Sequence, residues 1–78
     1  MHVKIIKPDA TLYDGPATLL QLPGTNGLFE ILENHAPIIS SLASGRIRLQ
    51  ADGEEEKTFE IKAGVLKGQN NDILILVQ

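Results

Sequence analysis

The 78-residue chain contains no cysteine and no tryptophan. Without thiols there is no disulfide framework and no thiolate metal site, and nothing points to an oxidising compartment. Aromatics are confined to Tyr13, Phe29 and Phe59, so any core must be aliphatic. No Lys or Arg occurs between Lys7 and Arg46, and ten acids against seven bases give a formal charge of −3. That balance offers no electrostatic footing for nucleic acid or anionic lipid and leaves proteins as the expected partners. No apolar run approaches the roughly 20 residues needed to span a bilayer. The first eight residues, Met1-His2-Val3-Lys4-Ile5-Ile6-Lys7-Pro8, lack the apolar stretch and small-residue cleavage site of a signal peptide.

What is present reads as one domain, residues 1–78, built from short strands and turns. A domain of this size buries only about 60% of the surface its unfolded chain exposes. Small cores without staples often lean on a partner surface. The segment Leu22 to Pro37 organises the chain: Pro23-Gly24 is expected to close a strand, Asn26-Gly27 to supply residues tolerant of positive φ, and Pro37 to end the following loop. Strand Leu28–Leu32 lies between two turns, and the segment holds His35, one of two histidines.

Alternation predicts the other strands. His2–Lys7 places Val3 and Ile5 on one face. Thr11–Tyr13 is a short piece closed by a turn at Asp14-Gly15-Pro16, and Ala17–Leu22 carries apolar residues on both faces. Ile38–Ala43 is short and β-branched, which favours strand over helix. Gly45–Ala51 points Ile47, Leu49 and Ala51 inward, and Lys57–Ala63 points Phe59, Ile61 and Ala63 inward. A two-residue hairpin at Asp52-Gly53 would set Leu49 opposite Glu56, so parity demands Leu49 opposite Phe59 or a register two residues away. Asp52 to Glu56 then forms an acidic loop. Gly64 marks a bulge or close approach in Ala63–Gly68, Gln69–Asp72 is a turn, and Ile73–Val77 reads as a strand buried on both faces. Eight to ten short antiparallel strands without a helix predict an all-β sandwich or flattened barrel.

Chemistry is scarce. With two histidines and no cysteine, a metal site would need carboxylates placed by the fold, and lone surface histidines are the expected reading. Ser40 or Ser41 with His35 has no nucleophile-elbow context. Gly24 and Gly27 have the spacing of a phosphate-approaching GxxG loop but no basic flank. Glu30 and Glu33 have nothing fixing their separation for acid–base work. The residues alone describe an interaction module with no catalytic group and no cofactor.

The motifs, taken in order, are Leu12-Tyr13-Asp14-Gly15, Leu22-Pro23-Gly24, Gly27-Leu28-Phe29, Ile31-Leu32, His35-Ala36-Pro37, Gly45-Arg46-Ile47-Arg48, Ala63-Gly64-Val65-Leu66 and Asn71-Asp72-Ile73. In order and spacing this set resembles the N-terminal β-sandwich domain of the epsilon subunit of F-type ATP synthase, the counterpart of the mitochondrial delta subunit. The resemblance implies two packed antiparallel sheets and a non-catalytic place in the central stalk. There the domain would bind the gamma subunit and the polar loops of the c-ring, coupling rotation to ATP synthesis at the cytoplasmic face of the bacterial plasma membrane. His35, Ala36 and Pro37 match the family motif directly, and the resemblance places their loop near gamma and the ring. Asn26 and Leu28 carry over by position, on a neighbouring loop that faces the ring.

Three departures stand out. Glu30 replaces the family's usual Gly, Glu33-Asn34 replaces its Pro-Gly before the histidine, and the chain stops at Gln78, ahead of the C-terminal helical hairpin most members carry. Autoinhibition and nucleotide binding by that hairpin are therefore not carried over. Asn34 tolerates the left-handed conformation the turn requires. The competing reading is a free-standing β-sandwich module for a peptide or small ligand.

Overall fold

The computed structural model describes residues 1–78. Nine strands and no helix make up the chain: β1 His2–Lys7, β2 Ala10–Pro16, β3 Leu19–Gly24, β4 Gly27–Leu32, β5 Ile38–Leu42, β6 Gly45–Gln50, β7 Lys57–Ile61, β8 Gly64–Gln69 and β9 Asp72–Val77. They form one curled sheet in the order β2-β1-β9-β8-β5-β3-β6-β7, with β4 on the other side of β3. The sheet turns a corner where Gly24 of β3 lies beside Leu42 of β5. A β4-β3-β6-β7 layer thereby folds over a β2-β1-β9-β8-β5 layer, and the all-β sandwich stands. Every ladder is antiparallel except β1–β9, which is parallel.

Alternation delivers the core. Leu20, Leu22, Ile47 and Leu49 from the first layer meet Val3, Ile5, Leu66 and Ile75 from the second, all fully buried. No polar or charged residue is buried with them. Each such side chain contributes about 1.5–3 kcal/mol when it leaves water. At the β2–β7 side, the rings of Tyr13 and Phe59 meet edge to face at 6.2 Å. Burial pushes the Tyr13 phenol up, and the Glu54 carboxylate adds to the shift.

The β6–β7 register keeps the required parity but takes the alternative two residues away: Ile47 faces Phe59 and Leu49 faces Lys57. Arg46 then bonds Glu60 at 2.7 Å, and Arg48 grips both oxygens of Glu56 at 2.7 and 2.9 Å. Glu56 thus closes the acidic loop instead of projecting from it. Hydrogen bonding from Arg48 is the main reason its carboxyl titrates below the usual range.

Several local expectations change. Asp14-Gly15-Pro16 is not a turn but the end of β2, because Asp14, Gly15 and Pro16 pair with Lys4, Val3 and His2; proline is tolerated there on an edge strand. Pro23 and Gly24 lie inside β3, opposite Leu28 and Gly27. Only Gly27 of the Asn26-Gly27 pair takes positive φ, at 120°. Ala63 is exposed, since β7 ends at Ile61. Leu19 is half-buried. The run Ile73–Val77 is buried on one face only, and Leu74 and Leu76 face outward. Two expectations hold: Gln69–Asp72 is a turn between β8 and β9, in which Asn70 and Asn71 take positive φ, and Asn34 adopts the left-handed conformation with φ 62°.

Gly64 is a close approach without a bulge, for a Cβ there would sit 2.8 Å from the Leu76 carbonyl oxygen. Backbone cannot yield as a side-chain tip does. Gly64→Ala is expected to cost about 1–3 kcal/mol, read as a lower urea midpoint; an unchanged midpoint would mean that β8 and β9 part freely. A second expectation concerns acid. Because the folded pKa of Glu56 is depressed, its contribution is present above the unfolded value and is lost as pH falls through the folded one. In Arg48→Gln the Glu56 carboxyl carbon, followed by NMR, should titrate at higher pH than in the parent; an unmoved midpoint would assign the shift to another neighbour.

Candidate docking surfaces

Thr25 and Asn26 form the two-residue turn between β3 and β4, and both are exposed. Next along β4, Leu28 is 70% exposed, because it opposes Pro23 on the outward face. At the far end of the same strand, Leu32 opposes Leu19, and the chain enters the loop from Glu33 to Pro37. The turn and the His35 loop are thus separated by the length of β4, roughly 17 Å at about 3.4 Å per residue. Adjacent in sequence, they are not one patch, which corrects the expectation of neighbouring loops.

The His35 loop is held from three sides. The amino group of Met1 bonds the Ala17 carbonyl at 3.0 Å and Glu33 at 3.2 Å. The Asn34 amide donates to the Asn71 side chain at 3.4 Å. The His35 ring sits over Gly68, where a Cβ would lie 3.2 Å from its Cε1. Its Nδ1 donates to the Ala36 carbonyl at 3.0 Å, and its Nε2 is buried without a partner. Ala36 and Pro37 are exposed beside it. Glu30, Leu32, His35, Pro37 and Ile38 line a groove of ≈ 370 Å³ between β4 and the loop.

Ser40 donates to the neighbouring Ser41 carbonyl, and His35 bonds neither hydroxyl, so no nucleophile–base pair exists. No three His, Asp or Glu residues gather as metal ligands. Glu30 accepts a bond from Gln21 and Glu33 from the Met1 amino group, and no partner is shared between the two carboxylates. The loop therefore brings together neither a nucleophile–base pair nor a set of metal ligands.

The surface that sequence reasoning missed lies on the second layer. Register places Ile6, Leu76 and Val65 along one rung of its outer face. The next rung runs Lys4, Leu74, Lys67 and Ile39. Ile39 is 79% exposed, and Val65 and Leu76 about half. Lys67 separates Leu74 from Ile39 along that rung, but exposed apolar side chains grouped on one face are a recognised mark of interaction sites. A groove of ≈ 540 Å³ lined by Ile6, Pro8, Val65, Leu76 and Gln78 continues it. The only signal in the sequence was Ile73-Leu74-Ile75-Leu76-Val77 itself, whose second apolar face implied a cover without saying whether the cover is this chain. No helix is long and apolar enough to cross a membrane.

Comparison with known proteins places this geometry. Over residues 1–78 the chain matches the family described as ATP synthase, Delta/Epsilon chain, beta-sandwich domain. It is 34% identical over 74 residues to the ATP synthase epsilon chain of Chlorobaculum tepidum, covering 95% of this chain and 84% of that one. To the ATP synthase epsilon chain of Thermosynechococcus vestitus it is 39% identical over 77 residues, covering 99% of this chain and 55% of the relative. The fold is shared with a chain of the Euglena gracilis mitochondrial ATP synthase OSCP/F1/c-ring structure, at TM-score 0.89 and 16% identity over 96% of this chain and 48% of that one. A chain of the Tetrahymena thermophila mitochondrial ATP synthase central stalk/c-ring structure gives TM-score 0.84 and 14% identity over 99% and 62%. On the full-length family match and these identities, the chain belongs to the ATP synthase delta/epsilon chain β-sandwich domain family.

Proposed function

We propose that the domain is a non-catalytic rotor component in the central stalk of a proton-translocating F-type ATP synthase. In this reading it binds the gamma subunit and the c-ring loops at the cytoplasmic face of a bacterial plasma membrane and couples rotation to ATP synthesis. The observation that carries it is the exposed apolar face of Ile39, Val65, Leu74 and Leu76. Such a face fits a lasting protein interface better than an encounter surface, because obligate interfaces resemble a core cut in half. We assign gamma to it.

A rotor part also needs a second attachment. The exposed Thr25-Asn26 turn is polar and projecting, with apolar Leu28 beside it, and is assigned to the c-ring loops. His35, Ala36 and Pro37 lie at the other end of β4 and are assigned a separate contact with gamma or the ring. Torque transmission asks for stiffness, not bond chemistry. The strand ladders and an all-aliphatic core provide it.

Affinity capture of the tagged protein from detergent-solubilised membranes should recover gamma and c subunits together. The double variant Ile39→Asp/Leu76→Asp should lower gamma recovery at least tenfold, while its melting curve stays near that of the parent because both side chains are outward. Recovery of neither subunit by the parent would favour the free-standing module. Undiminished gamma recovery by the variant would remove gamma from this face.

A further inference from the structure

β4, β7 and β2 are edge strands. β7 carries Lys57 and Glu60, the latter paired with Arg46. β2 ends in Pro16, and its ladder with β1 is broken by an irregularity between Ile5 and Ile6. Charge, proline and bulges are the usual means of blunting an edge. β4 has no Pro and no break, and Glu30 is its one charge: Gly27-Leu28-Phe29-Glu30-Ile31-Leu32 runs in continuous register with β3 alone.

The turn sets the direction of its backbone groups. A two-residue hairpin closed by Gly24 and Gly27 makes that pair hydrogen-bonded, and every second pair after it. Leu28, Glu30 and Leu32 fall in the intervening pairs, so their N–H and C=O groups point away from β3. Pro23 confirms the phase: it has no N–H to lose, and its carbonyl is taken on the opposite side of β3 by the Ala43 amide at 2.7 Å. The groove between β4 and His35–Ile38 lies along this edge.

The outward side chains define what would fit. Leu28 and Leu32 are exposed apolar residues flanking Glu30. Glu30 accepts one bond from Gln21 at 3.3 Å and joins no ion pair, while the Arg48 guanidinium is engaged by Glu56. A second copy of this chain is a poor occupant. In the antiparallel register that matches Leu28 with Leu32, the two Glu30 carboxylates face each other, and like charges opposite are destabilising.

We infer that the β4 edge is a strand-addition site for an extended segment of another protein, one that places apolar, cationic and apolar residues at alternate positions. Backbone bonds to Leu28, Glu30 and Leu32 hold the segment, and Glu30 selects the cation opposite it. The inference does not depend on which subunits the stalk reading names.

The test uses a capped heptapeptide, Thr-Val-Thr-Arg-Thr-Val-Thr, titrated into the ¹⁵N-labelled protein. Saturable shifts should be confined to residues 28–32 and 35–38, and amide exchange at Leu28, Glu30 and Leu32 should slow. A peptide with Glu in the central place should bind at least tenfold more weakly, and Glu30→Lys should reverse that preference. Leu32→Pro removes one edge N–H without touching the β3 ladder and should weaken binding in a folded protein. No shift at millimolar peptide, equal binding of the two peptides, shifts centred on Val65 and Leu76, or concentration-dependent pairing of β4 with a second copy would each overturn the assignment.

Discussion

The sandwich depends on the bare backbone of Gly24. A Cβ there would lie 2.8 Å from the Gly27 carbonyl oxygen and 2.9 Å from the Phe29 ring. Because it is absent, β3 can close a tight hairpin with β4 and still touch β5 at Leu42. This is the corner at which one layer becomes the other. The fully buried Leu20 and Leu22 sit just before it on the same strand, so the corner and the core share a single element. Displacing Gly24 would disturb layer closure, core packing and the position of β4 together.

From that corner the surfaces follow. The first layer turns outward a polar network in which Arg48, Glu56, Gln21 and Glu30 are linked. The second layer turns outward aliphatic side chains, with Lys4 at one end of a rung and Lys67 between Leu74 and Ile39. With one core already filled, the apolar second face is surplus to folding.

Much of this was legible in the sequence, and the failures have physical causes. Gly45–Gln50 alternates strictly, so its inward set was readable, and parity alone restricted the β6–β7 register to a short series. Parity cannot choose within that series, and the register formed, two residues from the Leu49–Phe59 pairing, is the one in which Arg48 reaches Glu56. Asp14-Gly15-Pro16 looks like a turn because its residues have turn chemistry, yet pairing with β1 overrides local preference. Ile73–Val77 has no period to read, so burial by self and burial by partner were indistinguishable. The His35 loop and Asn26 turn were adjacent along the chain, and only the straightness of β4 reveals the distance between them.

The parallel pairing of β1 with β9 has a consequence for how the chain is made. His2 through Ile6 finds one of its two neighbouring strands only when Asp72 through Leu76 has been synthesised. Contacts between strands this far apart in sequence carry a large loop-closure cost and slow folding. No N-terminal portion can complete its own layer, so a nascent chain keeps an open sheet edge until its last strand emerges.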